Sequence, residues 1–368
     1  MQFSFNLDYY LKFDMRVHLL LILFIAVISC CCDHVDPIEN MDYPPEIRGA
    51  DMSYLPEIEK SGLTFFNQAD KPEDMLQTLK NAGVNVVRLR LWHNPSDVTS
   101  NFESVKKLSD EIKKSGMKVM ITVHYSDSWV DPGKQTKPAK WKNLDFSTLK
   151  DSVYQYTKKI MTEINPEFIQ IGNEINGGLL WPDGKINNLV QMKQLIASGT
   201  SAVRNANKSA QIIIHYAGTS SADWFYSQIS DLDYDIIGLS YYPIWHGKNL
   251  DTLKNTMIHL SYKFGKKIFI AETSYPFTLS WNDATTNIIG SESQILSEFP
   301  ATPLGQKIYL LKIKEIIKSV DKGAGFVYWG SEWVSFKGKD SNSGSTWENQ
   351  ALWDFTNSAL PAMDVYSK

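Results

Sequence analysis

The chain has 368 residues, a formal net charge of -4 and 43% hydrophobic residues. That length buries a sizeable core in one large α/β domain or two small ones. The near-balanced charge, without a basic stripe, argues against nucleic acid as a partner. Aromatic residues are the unusual feature, with 11 Trp and 17 Tyr, which suits a protein that stacks flat ligands.

The segment MRVHLLLILFIAVISC (15–30) has a basic start at Arg16, an apolar run from Leu19 to Ile28, and Ser29 before Cys30. Such a run is well short of the roughly 20 residues that span a bilayer and matches the apolar region of an export signal. Val27-Ile28-Ser29-Cys30 resembles a bacterial lipobox. That makes residues 1–29 a lipoprotein signal peptide, Cys30 the acylated new N-terminus, and 30–45 a polar tether. An ordinary cleaved signal is the alternative, and Met15 competes with Met1 as the start. The expected location is the bacterial outer membrane, lipid-anchored and facing the cell surface. Cys30, Cys31 and Cys32 are the only cysteines. The body, 46–368, therefore has no disulfide, thiol nucleophile or thiolate metal site.

From Glu46 onward, apolar runs alternate with amphipathic stretches. Eight strands are expected, at 47–53, 84–92, 118–125, 168–174, 211–218, 235–242, 267–273 and 325–330. They are near-continuous in apolar residues, as strands buried on both faces should be. One helix is expected to open at Asp70-Lys71-Pro72-Glu73 and close at Asn81-Ala82-Gly83. Others are expected at Phe102–Ser115, Ser147–Ile164, Asn188–Asn205, Leu253–Phe264 and Leu304–Val320. The repetition predicts an α/β fold, a single (β/α)₈ TIM barrel. A doubly wound sheet is the runner-up, but GADMSY after the first strand is not a phosphate-binding glycine turn. The segments after the third, seventh and eighth strands are long, polar and aromatic, which places the functional face at the strand C-termini.

Two carboxylates occupy equivalent positions. Glu174 ends the fourth strand in IGNE, and Glu272 ends the seventh in IAET. Across a barrel mouth their side chains can converge, one protonated and one ionised, as glycoside hydrolysis requires. Either glutamate alone would read as a solvated loop acid. Asn173, beside the first, adds an amide able to bind a sugar hydroxyl.

GNEINGGLLWP and AETSYP resemble the acid/base and nucleophile motifs of retaining (β/α)₈ glycosidases. GADMSYLPEIEKSG, RLRLWHNP, VHYSDSWVDPGKQTKPAKW, SYYPIWHG and STWENQALWDF more narrowly resemble the endo-β-1,4-galactanases of glycoside hydrolase family 53, over residues 46–363. The resemblance implies that Glu174 is the acid/base and Glu272 the nucleophile. It implies that Arg88 orients the nucleophile and that Tyr241 or Tyr242 hydrogen-bonds it. His124 and His215 would line the subsite of the reacting sugar, and Trp329 would be its floor. Trp92, Asp127, Trp129 and Trp333 are candidates for neighbouring subsites. Where many family members resemble Tyr-Trp-Glu, this chain reads Tyr328-Trp329-Gly330, which puts the contact of that family glutamate in doubt.

No His-x-His or His-Glu-x-x-His spacing appears, so no catalytic metal or other catalytic cofactor is expected. The resemblance does imply a structural calcium between the last two long loops, on Asp283, Thr285, Asn287, Ser345 and Glu348, all oxygen donors. Thr285 stands where a histidine is expected. The expected partner is β-1,4-galactan or its oligosaccharides, met by a monomer attached to the membrane through its N-terminal lipid. Another endo-β-glycanase, a mannanase or xylanase, and a non-catalytic surface glycan-binding lipoprotein are the alternatives.

Overall fold

Each of the eight apolar runs is a strand: β1 Ile47–Asp51, β2 Val86–Leu91, β3 Lys118–Val123, β4 Phe168–Ile171, β5 Gln211–Ala217, β6 Ile236–Ser240, β7 Lys267–Thr273 and β8 Gly323–Tyr328. Every strand pairs in parallel with its neighbours, and β8 closes on β1, giving a (β/α)₈ barrel. The computed structural model describes residues 46–96 and 98–367. The signal peptide expected at 1–29, the lipidation site Cys30 and the tether lie outside the described residues.

Helices follow the strands: α1 Met75–Ala82, α2 Phe102–Lys114, α3 Phe146–Glu163, α4 Leu189–Ala206, α5 Ala222–Gln228, α6 Leu250–Phe264 and α7 Pro303–Lys318. A 3₁₀ turn, Pro361–Tyr366, takes the eighth position and packs on α7 and α1. Side-chain caps set several starts: Asn101, Asp145 and Thr302 accept from the backbone N–H three residues on. The first helix begins later than expected. Asn67 Oδ1 accepts from the N–H groups of Ala69 and Lys71, holding Asp70–Pro72 in a turn, and Asp74 caps the helix instead. The short α5, ADWFYSQ, has too few residues for a helical period to show in the sequence.

Inside the barrel the strands stack side chains in layers. The floor is apolar, with Ile47, Val86, Met120, Phe168, Ile213, Ile236 and Phe269 all buried. Burying each such side chain contributes about 1.5–3 kcal/mol. Two residues further along, the pleat returns the same strands to the interior with Arg88, Thr122, Gln170 and His215. Buried polar groups need partners, and most here have them: Arg88 Nε donates to Gln170 Oε1 at 2.7 Å, and the Thr122 hydroxyl donates to the same oxygen, while Gln170 Nε2 is left without a partner. The barrel thus changes from oil to hydrogen-bond network toward its C-terminal mouth.

Candidate active site

Glu174 reaches the mouth through a strained turn. After β4 the chain passes through Gly172 at φ 86° and Glu174 at φ 46°. A Cβ on Gly172 would lie 2.5 Å from Ile175 Cγ2, so only glycine fits. Gln135 ties the turn down, donating from Nε2 to the carbonyls of Asn173 at 2.8 Å and Glu174 at 3.3 Å.

Glu272 reaches the mouth through a bulge. Along the β6–β7 ladder Leu239 pairs with Ile270, yet the next residue, Ser240, pairs with Glu272. The β8 ladder shows the same extra residue. Simple alternation would turn Ala271 inward and Glu272 outward. The bulge brings both to the interior side, Ala271 in the apolar floor and Glu272 above it.

Glu174, Glu272 and His215 present oxygen or nitrogen atoms that all lie within 4.8 Å of one another. The trio has a metal site's composition, but its atoms other than Glu174 Oε2 are engaged by protein. Glu272 Oε1 accepts from Arg88 Nη2 at 2.6 Å and Oε2 from the Tyr242 hydroxyl at 2.9 Å. Glu174 Oε1 accepts from the Ser240 hydroxyl at 2.5 Å, and His215 Nε2 meets the same hydroxyl at 2.8 Å. Arg88, 2% exposed, also donates to Asp51 at 2.7 Å and Asn173 Oδ1 at 3.1 Å.

These partners separate the two acids. Burial, and then the charge of Glu272, push Glu174 up to about 8. Burial raises Glu272 as well, but Arg88 and the Tyr242 hydroxyl oppose it. Glu174 is thus held toward its protonated form while Glu272 has a cationic donor that favours its ionised form, the asymmetry that acid and nucleophile roles need. His124 and His215 are held neutral, lowered well below the usual imidazole range by burial and the nearby arginines.

Both glutamates open onto a cavity of about 490 Å³ whose walls include Arg88, His124, Trp129, Asn173, Tyr242 and Trp329. Trp329 packs on Trp347 at 4.3 Å, forming an aromatic wall, and Trp333 backs it at 5.2 Å. Other expected residues sit elsewhere. Tyr241 is buried and donates to Gly247 O, because successive residues leaving β6 point to opposite faces, so Tyr242 is the one that reaches Glu272. His215 is fully buried behind Glu174, off the cavity wall. Asp127 accepts from the backbone of Asn94 and Ala139 and serves as a loop tie. Trp92 is buried on Arg90, and Trp333 stacks on Tyr54 at 4.4 Å and backs Trp329; neither lines the cavity itself.

Sequence reasoning missed Arg90, Asp131, Trp245, His246 and Trp347 on the wall. Trp245, His246 and Trp347 lie inside the blocks SYYPIWHG and STWENQALWDF, so the family resemblance flagged the segments without separating wall from packing. Ser240 opens the first of these blocks, but nothing there separated it from its neighbours. At the position of the absent family glutamate, Gly330 takes φ 69°, and Glu332 is buried with Oε1 accepting from Tyr54 N at 2.7 Å, so it does not take over that place on the cavity wall.

The candidate calcium ligands do converge. Asp283 accepts from the N–H groups of Thr285 and Ser345, and Glu348 Oε1 accepts from Asn282 N and Asp283 N. All five side chains are buried.

A closed parallel barrel with two opposed carboxylates at its C-terminal mouth is the architecture of a barrel glycoside hydrolase. Residues 47–366 match Glycosyl hydrolase family 53, and the chain belongs to that family. It is 36% identical over 342 residues to an arabinogalactan endo-β-1,4-galactanase of Cellvibrio japonicus, covering 87% of this chain and 90% of that one. It is 32% identical over 378 residues to an endo-β-1,4-galactanase of Bacillus subtilis, covering 89% and 86%. The solved family 53 catalytic domain of Ignisphaera aggregans superposes with a TM-score of 0.83 at 35% identity, over 89% of this chain and 97% of that one.

Proposed function

We propose that this hydrolase is an endo-β-1,4-galactanase that cleaves the galactan of type I arabinogalactan and pectic side chains by a retaining double displacement. The observation that carries the mechanism is the approach of Glu174 and Glu272 oxygens to within 4.8 Å. Retaining enzymes hold their carboxyls about 5–5.5 Å apart, inverting ones about 6.5–9.5 Å. The likeness to proteins named galactanases supports the substrate.

In the first step Glu272, kept ionised by Arg88 and Tyr242, attacks the anomeric carbon while Glu174 protonates the departing glycosidic oxygen. Ester formation removes the charge of Glu272, the second contributor to the raised Glu174 pKa. Glu174 then becomes acidic enough to persist as a carboxylate and takes a proton from the attacking water. Trp329 supplies the sugar's apolar floor. His124 accepts from Val130 N at Nδ1, which leaves its Nε2–H to donate to a hydroxyl.

Reducing ends released from galactan, mannan and xylan, with the product anomer followed by NMR, test the reading. Galactan should be cleaved with β product first. Preference for mannan or xylan overturns the substrate, and α product first overturns the mechanism. No hydrolysis of any would favour a glycan-binding lipoprotein. Full activity in both Glu174→Gln and Glu272→Gln would overturn the site.

We infer further that the loops after β7 and β8 hold a structural calcium. Asn287 Oδ1 and Glu348 Oε2 are buried without a hydrogen-bond partner. Burial raises Glu348, and the charge of Asp283 adds to it. A hard cation would neutralise this pair and take up the orphan oxygens. Thr285 fits less directly: its hydroxyl already donates to Ser341 O and accepts from Gly344 N, leaving its lone pair or carbonyl to contribute. Chelator should lower the melting temperature, with recovery on adding calcium; an unchanged transition overturns the site. The lipobox-like VISC supports export and lipid anchoring through Cys30. Metabolic labelling with palmitate, lost in Cys30→Ala, tests the anchor, and protease access on intact cells tests the face.

A further inference from the structure

Ser240 lies at the C-terminal end of β6, fully buried, between the acid/base and a histidine that the cavity does not reach. Its hydroxyl meets Glu174 Oε1 at 2.5 Å and His215 Nε2 at 2.8 Å. A hydroxyl has one proton to give. If it donates to Glu174, it accepts from His215 Nε2–H, and the imidazole carries its proton on Nε2. His215 Nδ1 is then a bare acceptor, and the N–H of Glu174 lies 3.4 Å from it. The same strand pins the turn through its backbone, since Ile175 N donates to His215 O at 2.9 Å. Asn173 Oδ1, 3.2 Å from Nδ1, makes no hydrogen bond to it in this tautomer and accepts from Arg88 instead.

We propose that Ser240, oriented by neutral His215, is a positioning residue that holds Glu174 Oε1 as an acceptor and so reserves the transferable proton for Oε2. The inference rests on the retaining galactanase reading. A carboxylic acid has two oxygens, and a proton on the inner one would point into the protein and be lost to catalysis. With Ser240 donating to Oε1 in both protonation states, the acid's proton has one seat left, and the same oxygen takes the proton back from water in the second step. His215 suits the task because burial and Arg88 keep it neutral. A cationic imidazole would compete for the carboxylate. The other groups facing Glu174 are Glu272 on β7, Arg88 on β2, Asp131 in the loop after β3 and Tyr242 beyond β6. None of these supplies a hydrogen bond to the Glu174 carboxyl among the described residues, so Ser240 has no substitute there.

The test compares Ser240→Thr with Ser240→Val, which have the same shape and differ in the hydroxyl. The readout is kcat/KM, which reports the first chemical step, on galactan and on a dinitrophenyl galacto-oligosaccharide whose leaving group departs without protonation. Thr should keep near-native rates on both. Val should lose on the order of tenfold to a hundredfold on galactan, the range for one hydrogen bond to a charged group, and little on the activated substrate. Its alkaline limb on galactan should also move upward, because the donor that favours the carboxylate is gone. Equal losses on both substrates with an unmoved limb would reduce Ser240 to packing and overturn the proposal. Wild-type turnover of galactan tests the activity reading separately: if it fails while the activated substrate is cleaved, the substrate is wrong and the Ser240 comparison still stands on a suitable glycan.

Discussion

Arg88→Met is the substitution from which the site's electrostatics can be read most directly. The guanidinium is buried and holds Asp51 at 2.7 Å, Glu272 at 2.6 Å, Gln170 at 2.7 Å and Asn173 at 3.1 Å. Methionine fills much of the same volume but leaves two carboxylates facing each other without a cation. Removing one partner from a buried ion pair costs about 3–5 kcal/mol, and a domain of this size loses roughly 2 °C of melting temperature per kcal/mol. A drop of about 6–10 °C at neutral pH follows. The sign of its pH dependence can be worked out from Glu272. Burial already raises that group in the folded state, and Arg88 is the first influence opposing it. Without Arg88 its folded pKa rises further above the unfolded value of about 4.3, so the native state binds the extra proton between those two values. The deficit is therefore small below about pH 4.5 and grows as pH rises toward the folded pKa. Scanning calorimetry of both proteins across that range is the assay, with galactan hydrolysis alongside. Activity should fall by about a hundredfold or more, since the nucleophile must ionise before it attacks. A melting temperature within about 2 °C of wild type at neutral pH, or a deficit that ignores pH, would refute this reasoning.

The remaining predictions address the other groups of the mouth. The alkaline limb of kcat/KM on galactan should lie near pH 8, set by Glu174. In Glu272→Gln the Glu174 pKa, read by NMR of the labelled carboxyl, should fall, because the neighbouring charge that raises it is gone. Trp329→Ala should raise KM and lower kcat/KM by on the order of tenfold to a hundredfold through loss of the sugar's apolar floor, measured on galactan of defined length. Glu332 is pushed up to about 8 by burial and by Asp51, and its Oε2 has no hydrogen-bond partner. Because its folded pKa is raised, its contribution is present below the unfolded value and lost as pH rises through about 8. Glu332→Gln should therefore gain stability over wild type as the pH of a denaturation series rises, and a constant difference would contradict that placement.

What the sequence made legible, and what it did not, follows the range of each interaction. The strands announced themselves because both faces are buried, and FIQI or KIFIA reads as near-continuous apolar text whatever surrounds it. Glu174 and Glu272 were legible for the same reason, each breaking such a run where a barrel opens. The bulge at Ala271 was not: nothing in IFIAET marks it, and the extra residue exists only against the ladders of β6 and β8. Tyr241 and Tyr242 could not be told apart for want of a facing direction, which the chain's exit from β6 decides. The family resemblance put His215 at the sugar, but its place near the end of β5 lies behind the β4 turn, where it faces Glu174 from below. Ser240 shows the limit most clearly. A serine at a strand end is among the least informative residues in a sequence, and its neighbours Glu174 and His215 are 66 and 25 residues away. It acquires a role only when β4, β5 and β6 close side by side. In this site the residues that change bonds are therefore visible as chemistry out of place, while those that set proton positions look ordinary until the barrel assembles them.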